Sequence, residues 1–162
     1  PDCIETVKDL MRYLKRDDEN HEIRRLLGRA QLLQNDLVHL IEDHCSNKEL
    51  FEVTLRLVMN LTTPALVLWE EQLPEEKVTR SYYQEVVYYL QQYKVTFSKE
   101  KIWTALGGKL AELLNQSWEI RLAEDNLIIE RILILIRNVL HICPTEDDSK
   151  RTDDDNSIHD QV

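Results

Sequence analysis

Glycine and proline are scarce in this chain, which has three glycines and four prolines among its 162 residues. So few turn-forming residues argue against an all-β fold, because such folds need a tight turn after every short strand. The abundant residues are leucine, isoleucine, valine, glutamate, lysine and arginine, as in helical proteins. With 43% hydrophobic residues, the chain can also bury one core. The composition therefore predicts an all-α protein.

Cysteine is also rare, and long apolar runs are missing. Cys3, Cys45 and Cys143 are odd in number and widely spaced, so they form no disulfide framework and favour an intracellular protein. The longest apolar stretch, Leu127 to Leu140, contains several charged residues and is shorter than the ~18–20 residues that a membrane-spanning helix needs. No signal peptide is visible. We therefore expect no contact with a membrane.

Positive charge is in short supply, since the net charge is −10. Phosphate binding depends on clustered lysine and arginine, so the chain as a whole is a poor candidate for wrapping nucleic acid. A local basic stripe remains compatible with this balance.

One segment occurs twice. Residues 50–61 align with residues 128–139, so that Glu52 matches Glu130, and Asn60 matches Asn138. The spacing corresponds to two repeats slightly shorter than the ~40–47 residues of HEAT and armadillo units. Such repeats build curved surfaces that hold other molecules. We therefore predict a right-handed, HEAT/armadillo-like helical-repeat solenoid of about eight helices over residues 1–144. An acidic linker, residues 145–162, would lead into a truncated further helix.

Local signals predict where several helices begin and end. A long apolar helix near the end of the chain is hydrophobic almost all round and should be the most buried. The remaining expectations concern caps and breaks. They are Asn47 and Ser98 as N-caps, Gly28 just after a helix, Thr63-Pro64 as a helix start, and Gly107-Gly108 as a break or kink.

The sequence contains no recognisable catalytic or metal-binding motif. His39, His44 and Cys45 lie close together, but their spacing matches no zinc pattern, and the two histidines are about 140° apart on a helix. There is no P-loop, dinucleotide fingerprint or nucleophile elbow. We expect no enzyme, metal, cofactor or small-molecule substrate. The alternative is a helical enzyme domain, which would bring ionisable side chains together in one pocket.

Asn60 and Asn138 are the first candidates for a functional site, because each is a polar residue in an otherwise apolar helix. They would line a groove and hold the main chain of an extended partner, as asparagines do in armadillo repeats. Alternatively, each bonds to the backbone of a neighbouring loop. Arg56, Arg131 and Arg137 accompany them and would make the groove basic, suited to an acidic peptide or DNA. The alternative for the arginines is ordinary ion pairing within the chain.

Tyr82, Tyr89 and Tyr93 share one face of a long predicted helix. If that face is exposed, it would suit a protein interface. The alternative is packing against a neighbouring helix.

Four blocks in the right order resemble the Timeless family: residues 1–14, 57–66, 130–141 and 153–161. The likeness is closer to the replication-type members than to the insect circadian paralogue. It implies a non-enzymatic, nuclear α-solenoid scaffold that pairs with the Timeless-interacting protein, Tipin, in the fork protection complex. It also implies contact with the replicative helicase and, through other parts of the full-length protein, duplex DNA. Support for the S-phase checkpoint and sister-chromatid cohesion would follow. The alternative within the family is a circadian-clock scaffold that binds a Period-type partner.

Overall fold

A computed structural model describes residues 2–17, 20–43, 46–66 and 74–142. Within these ranges the chain contains seven α-helices and no strand, so the predicted all-α class is confirmed. A π-helix over Leu33–Leu37 leads into the third helix, and a 3-10 helix over Thr63–Leu66 follows the fourth. The α-helices are α1 Asp2–Lys15, α2 Glu22–Arg29, α3 Val38–Asp43, α4 Lys48–Thr62, α5 Lys77–Phe97, α6 Glu100–Leu114 and α7 Ala123–His141.

Helices α1, α4 and α7 form one layer, with α4 in the middle. The pairs Lys48–Asp125 and Thr62–Asn138 join α4 and α7 near their starts and near their ends, so these two helices run in the same direction. On the other side of α4, Lys8 of α1 pairs with Glu49 and the later Met11 contacts the later Asn60, so α1 follows the same general direction. Helices α2, α3, α5 and α6 cover the layer, with α2 on α5 and α3 on α6.

Helix α4 is the centre of the hydrophobic core. Nine of its fifteen residues are buried, and Phe51, Leu55 and Leu57 have no exposed surface. The expectation that the last long helix is the most buried is wrong, because Leu133 and Leu140 of α7 are 52% and 72% exposed. Helix α4 has packed helices on several sides, whereas one face of α7 has no neighbour within the described residues.

Of the three predicted helix starts, Ser98 and Thr63 are wrong as N-caps, although a 3-10 helix does begin at Thr63. Asn47 is confirmed as the N-cap of α4, since its side-chain oxygen accepts the Leu50 N–H at 3.2 Å. Ser98 instead ends α5 and donates its hydroxyl to the Val95 carbonyl at 2.6 Å. Thr63 continues directly from α4 and donates to the Met59 carbonyl at 2.8 Å. A hydroxyl before a helix and a hydroxyl at a helix end look alike in sequence, because both satisfy unpaired backbone groups.

The predictions of a helix end at Gly28 and of a break at Gly107-Gly108 are also wrong. Gly28 lies inside α2, and Gln31 rather than a glycine adopts the positive φ, 53°, after that helix. Glycine is needed at position 28 because a Cβ there would lie 2.3 Å from Cδ2 of Tyr89. Gly107 and Gly108 do not interrupt α6, which runs through both of them.

Candidate functional site

A groove between α1 and α4 has a basic lining. Its cavity has a volume of about 240 Å³. No carboxylate of the described residues lines it, although the chain carries a net charge of −10. We call it the basic groove. Its lining residues are Lys8, Met11, Arg12, Lys15, Val53 and Arg56.

A second groove, between α4 and α7, has the opposite charge. Its cavity has a volume of about 530 Å³. Three glutamates line it with one lysine, so we call it the acidic groove. Its lining residues are Lys48, Glu49, Glu52, Glu124, Leu127 and Ile128.

The four cations of the basic groove differ in how they are paired. Lys8 lies 3.4 Å from a carboxylate oxygen of Glu49. Arg12 pairs with Asp9 on its own helix, and both side chains are more than half exposed, so this pair contributes little stability. Neither Lys15 nor Arg56 forms an ion pair with any other described residue. These two side chains therefore keep their charge available for a ligand.

Asn138 does not line a groove. Its side chain is completely buried, and its amide nitrogen donates to the Met59 carbonyl and the Thr62 hydroxyl, both at 3.1 Å. Its side-chain oxygen accepts from Nη2 of Arg137 at 3.2 Å. Placing Asn138 in a partner-binding groove is therefore wrong in this structure, because a side chain with no exposed surface cannot meet a partner. It joins α7 to the end of α4, so its partners lie on a helix and not on the neighbouring loop that the alternative interpretation expected.

Asn60 occupies the matching position on α4 but is only half-buried. Its amide nitrogen donates to the Arg56 carbonyl at 2.8 Å and lies 3.8 Å from the sulfur of Met11 on α1. Its own carbonyl accepts from Nη1 of Arg24 at 2.9 Å. Asn60 therefore sits beside the basic groove without lining it, and a role in partner binding stays a prediction.

The turn after α1 contains a buried polar network that sequence reasoning missed. The carboxylate of Asp17 accepts the backbone N–H groups of Ile23 at 2.9 Å and Arg24 at 3.3 Å, and so caps the start of α2. The Arg24 guanidinium lies 3.7 Å from Asp17. Burial lowers the pKa of Arg24, and the negative charge of Asp17 opposes that effect. Because Arg24 also bonds to Asn60, this network joins α2 to α4.

Arg131 and Arg137 both bond to other side chains of the molecule, although Arg137 is exposed. Arg131 pairs with Glu52 across the α4/α7 contact, and the two side chains are only 16% and 23% exposed. Burial lowers the pKa of Arg131. Arg137 donates to the side chain of Asn138. Ion pairing within the chain thus describes Arg131, whereas Arg137 donates only to an amide oxygen, and neither Arg137 nor Arg56 has an ion-pair partner among the described residues.

The three candidate tyrosines pack against other helices. The guanidinium of Arg25 on α2 lies 3.8 Å from the ring centre of Tyr82. Tyr89 donates its hydroxyl to Glu85 at 2.7 Å. Tyr93 is only 3% exposed, and burial raises its pKa to about 12. An exposed interface made by all three tyrosines is therefore wrong, and their shared face fixes α5 in place.

Lys8, Arg12 and Lys15 were absent from the sequence-based candidates, although a signal for them exists. They follow one another at i, i+4 and i+7, the spacing of a single helix face. Arg56 joins them only through the packing of α1 on α4, which a local pattern does not reveal.

Other classes of site find little support in the described part of the chain. There, no group of three or more His, Cys, Asp or Glu side chains is arranged to hold a metal ion. His39 is exposed, while His44 and Cys45 lie outside the described residues. None of the helices that the structure describes is long and apolar enough to cross a membrane.

The fold and the grooves define an all-α protein whose open features are surfaces between helices. The chain belongs to the Timeless family, whose sequence model, described as "Timeless protein", matches residues 1–162. It is 48% identical over 162 residues to the protein timeless homolog of Homo sapiens. This alignment covers all of this chain and 13% of the human protein. The Caenorhabditis elegans homolog is 31% identical over 163 residues, covering all of this chain and 12% of that relative.

A fungal protein is also similar. The mating-type switching protein swi1 of Schizosaccharomyces pombe is 29% identical over 157 residues, which cover 87% of this chain and 15% of that protein. The chain thus spans only a small share of the length of each of these relatives.

Proposed function

We propose that this chain is part of a non-enzymatic scaffold of the replication fork protection complex. In this role it binds partner proteins, namely Tipin and the replicative helicase, in the nucleus. It thereby supports fork stability, S-phase checkpoint signalling and sister-chromatid cohesion. Membership of the Timeless family supports the proposal. Contact with duplex DNA would belong to other parts of the longer protein.

The observation that carries the proposal is the layer of α1, α4 and α7. Repeated helices placed side by side form an extended surface with a groove at each contact, and such surfaces hold partner chains. Both grooves are lined by charged side chains, and the two differ in sign. Charge patterns of this kind select partners and guide their encounter more than they add raw affinity.

The partly buried ionisable groups support a scaffold rather than an enzyme. Arg24 pairs with Asp17, and Arg131 pairs with Glu52. Each pair joins two parts of the fold and uses its charges for that purpose. General acid–base catalysis instead needs a titratable group held in a cleft within reach of a substrate.

Calorimetric titration of the chain with the conserved region of Tipin, at low and high salt, tests this function. We expect saturable binding that weakens at high salt, because exposed charges are screened over about 10 Å at 0.1 M ionic strength. The control is circular dichroism, which establishes that the chain is folded in the same buffer. Failure of the folded chain to bind would contradict the proposal for these residues. Binding of a Period-type protein in place of Tipin would favour a clock scaffold instead.

A further inference from the structure

We propose that the basic groove between α1 and α4 binds an acidic linear peptide from a partner protein. The inference rests on the proposed scaffold function and assigns it a site and a class of ligand. Two helices supply the charge, since Lys8, Arg12 and Lys15 come from α1 and Arg56 comes from α4.

Charge complementarity identifies the ligand as acidic. The groove has four cations and no carboxylate of the described residues in its lining, in a chain with a net charge of −10. Lys15 and Arg56 have no acidic partner among the described residues. An acidic peptide would therefore gain ion pairs without first breaking internal ones at these two positions. The pair of Arg12 with Asp9 is exposed and exchanges easily with a competing carboxylate.

The floor of the groove indicates a peptide rather than a lone anion. Met11 and Val53 line the groove with the cations, and because they are only 4% and 1% exposed they offer a ligand a narrow apolar contact. An unbranched thioether adapts to ligands of irregular shape. A floor of this kind suits an apolar side chain between acidic ones, whereas a free phosphate would leave it without a contact.

The neighbouring groove argues against duplex DNA as the ligand. Packed helices lie about 8–10 Å apart, while the major groove of DNA alone is about 12 Å wide. A duplex laid on this layer would therefore extend beyond the basic groove and meet the acidic one. There it would face Glu124, which has no ion-pair partner among the described residues and repels phosphates, while Glu49 and Glu52 are already paired with Lys8 and Arg131. A single extended peptide fits within the basic groove alone.

Fluorescence anisotropy with a labelled synthetic peptide tests the proposal. The probe contains aspartate and glutamate with interspersed leucine, and its analogue carries asparagine and glutamine at the acidic positions. We expect the acidic probe to bind and the analogue not to bind. The double variant Lys15→Glu, Arg56→Glu should weaken binding by about tenfold or more, because it replaces two attractions with two repulsions. Neither side chain has an ion-pair partner in the described residues, so the thermal midpoint should fall only slightly, through the new negative charge in the last turn of α1.

The matched control is Lys77→Glu, Arg80→Glu, which makes the same charge change at two exposed positions near the start of α5. This variant should bind the probe within about twofold of the unchanged chain, because the altered charges lie outside the groove. Equal weakening by both variants would attribute binding to net charge alone and overturn the proposal. Failure of the unchanged chain to bind the probe would overturn it too.

Three further outcomes concern other ligands. A short DNA duplex is tested as a competitor of the probe. If it displaces the probe, and if the Lys15→Glu, Arg56→Glu variant no longer binds the duplex, the groove is a nucleic-acid site. Probe binding that appears only after Asp153, Asp154 and Asp155 are changed to asparagine would assign the groove to the chain's own acidic segment. Tipin serves as an independent reference. If Tipin still binds the groove variant while the probe does not, the scaffold function holds and the groove serves a different partner.

Discussion

The α1/α4 and α4/α7 contacts share one arrangement of neighbouring helices but differ in how many of their charges are paired. Between α4 and α7, Glu52 pairs with Arg131, and Lys48 lies 3.1 Å from Asp125. Between α1 and α4, Lys8 pairs with Glu49, but the Arg56 side chain has no ion-pair partner among the described residues. The comparison shows that charges at one helix contact can all serve to hold the fold together, while the next contact leaves Arg56 available for a ligand.

Asn60 and Asn138 show how the difference arises from equivalent residues. Both side chains point toward the preceding helix of the layer. Asn138 meets the end of α4, where Met59 offers a carbonyl and Thr62 a hydroxyl. Asn60 meets Met11 on α1, whose thioether is a weak acceptor. The same amide group therefore makes strong hydrogen bonds between helices at Asn138 and only a weak one at Asn60.

The largest expected effect comes from Asn138→Ala. We expect a loss of about 1–3 kcal/mol in the free energy of unfolding, because a fully buried amide and its hydrogen bonds disappear. Asn60→Ala should cost less than about 1 kcal/mol, since its main bond is to a carbonyl of its own helix. Urea unfolding followed by circular dichroism measures both.

If Asn138→Ala and Asn60→Ala lowered the free energy of unfolding equally, the proposed difference between the two asparagines would be contradicted. A partner titration of Asn60→Ala sharpens the test. Lost affinity at unchanged stability would return Asn60 to the partner-binding surface, whereas unchanged affinity would leave it a structural residue.

An intermediate effect is expected for Glu52→Gln. This change leaves the Arg131 guanidinium, which is 16% exposed, without its carboxylate, and we expect a cost of about 1–2 kcal/mol. Arg56→Gln should change stability by less than about 0.5 kcal/mol, because no internal pair is lost. Thermal unfolding of the two variants under one buffer compares them directly. A larger effect at Arg56 would show that its charge is engaged after all.

For Lys48→Ala we expect a cost of about 0.5–1 kcal/mol, below that of Glu52→Gln and above that of Arg56→Gln. Lys48 is 46% exposed, so water and salt already weaken its attraction to the buried Asp125. The free energy of unfolding of the variant and of the unchanged chain is measured at low salt and near 1 M salt. We expect the difference between the two to be smaller at high salt. A difference that does not respond to salt would mean that the lysine acts through packing instead of charge.

Local features of the fold were the most predictable from sequence. The pattern of α1 and the Asn47 cap depend on residues a few positions apart, and the structure agrees with both. Gly28 was misassigned because its role depends on Tyr89, far along the chain. The partners of Asn138 likewise come from α4, so sequence periodicity alone could not decide between a groove residue and a buried fastening.

The parallel layer also has an electrical consequence. Helices that run in the same direction place their macrodipoles side by side with like ends together, which is unfavourable. Glu49 and Glu124, in the first turns of α4 and α7, offset the repulsion between the positive ends of these two helices. Arg12 and Lys15, in the last turn of α1, offset the repulsion at its negative end. An acidic peptide must therefore draw Lys15 away from the negative end of α1. Its affinity should consequently be lower than the number of cations in the groove suggests.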